Sequence, residues 1–253
     1  MKSPLAVLVA AVLAASLRVA EPAEAATVSV NINSNIIEVT GVIDRATVSE
    51  FTAGATRIRD YYYLDGTMVV LNSEGGDLVA AMEIGQIIRS RSLLTDVGGT
   101  ARCASACVFI LAAGVDRSAY GKIGIHRPHF DDRYFADLTL VQPRAKYEQL
   151  QTMARSYLRE MGMPDDLYIE MMRIPSDGIR WLSPEESYKL GLDGLDPAYE
   201  EWLRAQYAQQ FGADGYQRHI SGWKLLNQCG TVRRCREDII ERYPEALWTP
   251  DRR

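Results

Sequence analysis

"TMVVLNSEGGDLVAAMEIGQIIRS", residues 67–90, decides the fold class. Thr67 to Asn72 read as a short continuous apolar strand, of the kind buried on both faces in a parallel sheet. Ser73-Glu74-Gly75-Gly76 closes it. Leu78, Ala81, Met82, Gly85 and Ile88 then recur at helical spacing, and "SLLTDV" (92–97) looks like another buried strand. Strand, helix, strand in that order implies a βαβ unit with parallel strands and a right-handed crossover. The predicted class is α/β.

Upstream, "VSVNI" and "IIEVTGVI" between Val28 and Ile43 alternate as strands of a hairpin or sheet edge. Asp44 caps a predicted helix over 45–60, with Val48, Phe51, Ala55 and Ile58 on its apolar face. Downstream, a helix is expected from Ser105 to Gly114, followed by a strand, "GKIGIH", that runs up to His126. The stretch 127–142 has no clear period and reads as a surface excursion. Leu150, Met153, Ala154, Tyr157, Leu158 and Met161 mark a long amphipathic helix, stopped by Gly162 and Pro164. Ser183-Pro184-Glu185-Glu186 is a helix start with a serine cap and a capping-box glutamate.

The chain opens with Lys2, an apolar run from Leu5 to Leu17 and the small-residue site Ala23-Glu24-Ala25, the layout of a secretory signal peptide cleaved after Ala25. That divides the chain into a signal peptide (1–25), an α/β domain (26–199) and a helical C-terminal extension (200–253). The apolar run is too short to span a bilayer comfortably, so a soluble periplasmic or secreted protein is expected. The net charge of −5 argues against a nucleic-acid partner, which calls for a basic face. Four cysteines in an exported chain favour disulfides, and pairing within the close couples Cys103/Cys107 and Cys229/Cys235 is the expectation. Their spacings are not common zinc spacings, and no metal or cofactor is expected.

Ser105 falls where a glycine-rich loop turns into a helix. Backbone N–H groups there, that of Ala106 among them, would stabilise an oxyanion, with a second donor from Gly75-Gly76. A serine needs a base, and of the three histidines His126 is placed best, at a strand end; His129 lies on the excursion and His219 in the extension. A structural account stands beside this one. Ser105 would only cap its helix, and His126 would be a satisfied structural histidine.

Four blocks bear on that choice: "LNSEGGDLVAAMEIGQIIRS", "ARCASACVFILAAG", "GKIGIHRP" and "WLSPEESYKLGLDGL". In this order they resemble the Clp protease proteolytic subunit and its relatives in the crotonase-like superfamily, over roughly residues 35–196. The chain is similar, more closely, to the exported Clp-like proteins of bacteria. The resemblance implies a spiral of βαβ units, rings of subunits, Ser105 as nucleophile, His126 as general base and the N–H groups of Gly76 and Ala106 as oxyanion hole. An ungapped match puts Ile179 where the family has its third triad member, an aspartate; Asp177, two residues away, would serve as the catalytic residue that orients His126 if the loop shifts. The implied activity is hydrolysis of peptides or unfolded chains by a homo-oligomer, with no ATPase partner outside the cytoplasm. Ile179 also favours a rival, a non-catalytic binding or assembly protein. A serine–lysine variant of the chemistry would need Lys122 or Lys146 as base.

Overall fold

The computed structural model describes residues 25–58, 66–130 and 143–250. The expected signal peptide, the last residues of the helix expected over 45–60 and most of the 127–142 excursion lie outside the described residues.

The hairpin read from Val28 onward is β1 (Thr27–Asn31) paired antiparallel with β2 (Ile36–Thr40). Helix α1 (Arg45–Arg57) starts at Asp44, whose carboxylate accepts from the Thr47 N–H while Thr47 Oγ1 accepts from the Asp44 N–H. The decisive stretch forms β3 (Met68–Asn72) and α2 (Leu78–Ser90). Asp77 caps α2 by accepting from the N–H groups of Val79 and Ala80. Then come β4 (Leu94–Val97), β5 (Arg102–Ala104), α3 (Cys107–Ala112), β6 (Asp116–Ala119) and β7 (Lys122–Ile125).

The long amphipathic helix is α4 (Pro143–Glu160), followed by α5 (Asp165–Arg173), β8 (Arg180–Trp181), α6 (Pro184–Lys189) with the expected capping box at Ser183, and β9 (Gly194–Leu195). Three α-helices follow, α7 (Pro197–Phe211), α8 (Gly215–Cys229) and α9 (Arg233–Arg242), and then a short C-terminal 3-10 turn (Pro244–Leu247). Helix α7 runs across the boundary expected at 199/200.

The α/β class holds, with mixed rather than purely parallel sheets. In the larger sheet, ordered β1-β2-β3-β4-β6-β9, strands β2, β3, β4 and β6 are parallel and the two edges antiparallel. The β1 edge follows from its connection: β1 reaches β2 through a tight hairpin, which parallel strands cannot use. A second sheet, β5-β7-β8, pairs β7 parallel to β5 and antiparallel to β8. The two meet at the end of β3, where the Ser73 N–H donates to the Arg102 carbonyl at 2.8 Å and the Ala104 N–H to the Ser73 carbonyl at 3.0 Å.

Ile37, Val39, Val69 and Leu71 of the sheet and Ile84 and Ile88 of α2 are fully buried in one core. Helix α3 is apolar all round and buried on every side, a core helix rather than a surface one. Burial of side chains of this size contributes about 1.5–3 kcal/mol each. A polar joint ties the extension to this core. Buried Arg117 on β6 donates to the Ala112 and Met161 carbonyls and to the carboxylate of buried Asp196, which also caps α7 through the Tyr199 N–H.

Candidate active site

Ser105 sits in the corner between β5 and α3 with a φ of 55°, a left-handed conformation that costs an ordinary L-residue free energy. Its neighbours hold it there. The Ser105 N–H donates to the Gly124 carbonyl on β7 at 3.0 Å, and its carbonyl accepts from the Val108 N–H at 3.1 Å. The disulfide Cys103–Cys107 brackets the corner with a Cα–Cα distance of 5.2 Å. The pairing expected for both cysteine couples is present, since Cys229 and Cys235 are also bonded.

Gly75 forms the facing wall, and Gly76 follows it against Ile43. Both have positive φ, 106° and 137°, and a Cβ on Gly76 would lie 2.1 Å from the Ile43 carbonyl oxygen, so only glycine fits. Ser73 Oγ accepts from the Gly75 N–H at 3.0 Å, while Ile43 bonds to Gly75 and Asp77 on either side. Among the described residues, the N–H groups of Gly76 and Ala106 donate to no protein acceptor. They are therefore free to serve an external one. Helix α3 has only six residues, shorter than the helix expected over 105–114, so the donors here are individual N–H groups and not the end of a long helix dipole.

His126 follows β7 directly, at the strand end expected for it, and is 8% exposed. It lines a small cleft together with Ser105, Ala106, Leu78, Phe109, Pro128 and His129. The structure thus brings the expected nucleophile, base and one oxyanion donor to one place. His129 is the residue that sequence reasoning set aside. Three residues beyond His126, it lines the same cleft. Lys122 and Lys146 do not line it.

Asp177 makes no hydrogen bond to His126 and does not line this cleft. It is exposed between α5 and β8 and makes no hydrogen bond or ion pair among the described residues. Ile179, where the resemblance places an aspartate, is 45% exposed. The Nδ1 of His126 instead lies 2.8 Å from the Arg127 carbonyl oxygen. A carbonyl oxygen only accepts, so Nδ1 carries the proton of the neutral ring and Nε2 carries the lone pair. That is the tautomer a base needs to take a proton on Nε2.

A larger, open cleft of about 790 Å³ lies elsewhere, between the end of α2 and the extension, lined by Tyr199, Trp202, Trp248 and Arg89 among others. It contains none of the residues above. No protein-family model and no curated protein matches this chain.

Proposed function

We propose that the chain is an exported Clp-like serine peptidase that cleaves peptides or unfolded chains. The observation that carries this reading is the meeting of Ser105, on a left-handed backbone, with His126 in its Nδ1–H form in one cleft, lined also by Ala106, whose N–H has no protein acceptor among the described residues. Ser105 Oγ attacks the substrate carbonyl while His126 Nε2 takes its proton. The oxyanion is held by the N–H groups of Gly76 and Ala106. His126 then passes the proton to the leaving amine, and water, activated by the same nitrogen, releases the acyl group.

The parallel βαβ succession from β3 to β6 supports the spiral arrangement implied by the resemblance, and assembly into homo-oligomeric rings follows from the same likeness. The two disulfides fit an oxidising compartment, the periplasm or the exterior. Among the described residues no helix is long and apolar enough to cross a membrane. Without ATP in that compartment there is no unfoldase to feed the enzyme, so its substrates are chains already extended.

The second reading, a non-catalytic binding or assembly protein, is favoured by Asp177, exposed and without a partner among the described residues, and by Ile179 in the aspartate's place. Fluorophosphonate labelling of the oxidised mature protein separates the two. Labelling that disappears in both Ser105→Ala and His126→Ala is the expected result. A folded, oxidised sample that does not label supports the binding protein.

A further inference from the structure

We infer that the backbone carbonyl of Arg127 replaces a carboxylate as the group that orients His126, and that Arg127 is a positioning residue for the base. The kinetic consequence rests on the peptidase reading above; the orientation itself does not. A carbonyl of a surface loop would be a poor orienter, because it would turn with its peptide. This one is held on both sides. The Arg127 N–H donates to the Ile174 carbonyl at 2.9 Å, and its guanidinium donates through Nε and Nη2 to the Met172 carbonyl at 3.2 and 2.9 Å. Both acceptors belong to the C-terminal end of α5, where helix carbonyls lack partners of their own and a cation is favoured.

On the other side, Pro128 confines Arg127 to extended backbone. The Pro128 carbonyl accepts from Nε2 of buried Gln151 on α4 at 2.8 Å, and Gln151 Oε1 in turn accepts from the Tyr168 hydroxyl on α5 at 3.0 Å. The peptide that carries the orienting oxygen is thus clamped by α4 and α5 together. A carbonyl dipole fixes the tautomer as a carboxylate does, but carries no full charge to stabilise the imidazolium that forms when Ser105 gives up its proton. The arrangement supplies the orientation without that charge. It also removes the need for an aspartate at 179.

Long-range proton–nitrogen NMR correlations of the His126 ring, identified by its loss in His126→Gln, test the inference at a pH where the ring is neutral. The expected pattern is Nδ1–H in the wild type and unchanged in Asp177→Asn. In Arg127→Met it becomes a mixture of tautomers, and fluorophosphonate labelling slows by about 10²-fold, the scale of a misplaced catalytic group. An Nε2–H pattern in the wild type, a change of tautomer in Asp177→Asn, or an Arg127→Met protein with wild-type pattern and labelling overturns it. Should Arg127→Met fail to fold, the wild-type and Asp177→Asn spectra still decide. An Nδ1–H wild type that never labels upholds the orientation and defeats the peptidase.

Discussion

Gly75 backs directly onto Ser105: a Cβ on the glycine would lie 2.6 Å from the Ser105 Cβ, 2.8 Å from the Ala104 carbonyl oxygen and 3.0 Å from the Ala106 nitrogen. Close approach of two backbones, with a φ of 106° at Gly75, leaves no room for a side chain. Gly75→Ala is expected to cost about 1–3 kcal/mol from backbone conformation and to displace Ser105. Urea unfolding reads the first effect and the fluorophosphonate labelling rate the second. Wild-type labelling with full stability would show that the wall gives way freely.

The disulfides differ in exposure. Cys103 and Cys107 are fully buried, whereas Cys235 is partly exposed on α9. Mild reductant followed by alkylation and peptide mass spectrometry is expected to modify Cys229 and Cys235 first and to leave the pair around Ser105 intact until the domain unfolds. Replacing Cys103 and Cys107 together by alanine is expected to lower stability by about 2 kcal/mol, given so short a loop.

Arg117 and Asp196 form a buried ion pair at 3.2 Å, with Arg89 also 3.4 Å from the same carboxylate. Burial and the repulsion of Arg89 pull Arg117 down to about 10, which still leaves it charged at neutral pH. Asp196→Ala leaves that charge without its counter-ion and removes the α7 cap, so a loss of about 3–5 kcal/mol is expected. Chemical denaturation measures it. Proteolysis should reveal early cleavage in the extension, because α7 is joined to the core through this residue.

Burial holds the His219 imidazole below its ordinary value of 6.5, against the smaller opposing pull of Glu245. The unfolded chain takes up a proton near 6.5 that the folded one resists, so the His219 contribution is complete above that pH and is lost as the pH falls through it. Its Nδ1 lies 2.9 Å from both the Tyr207 hydroxyl and the Glu245 carbonyl, inside the aromatic cluster of α7, α8 and the C-terminal turn. Urea midpoints at pH 7.5 and 5.5 should therefore drop more in the wild type than in His219→Gln. Equal drops would assign the acid sensitivity to other groups.

Much of this architecture could be read from local pattern. The caps at Asp44 and Ser183 each act within three residues along the chain, so their chemistry is visible in the sequence itself. The placement of His126 was legible because "GKIGIH" ends a buried strand. Strands β5 and β6 were not, since three or four residues show no period and their pairing depends on neighbours far along the chain. Helix α5 was missed in the same way, although its C-terminal carbonyls are what hold Arg127.

From the order of its residues alone, this chain is an α/β protein, its cysteines pair within each couple, and Ser105 and His126 stand at the corners where strands end. Each follows from periodicity or from loops short enough to leave little choice. Which nitrogen of His126 bears a proton, that Asp177 stays in solvent, and that His129 shares the cleft were decided only in three dimensions. A hydrogen bond is set by the direction of a carbonyl, and the Arg127 carbonyl takes its direction from helix ends some 45 residues away, at Met172.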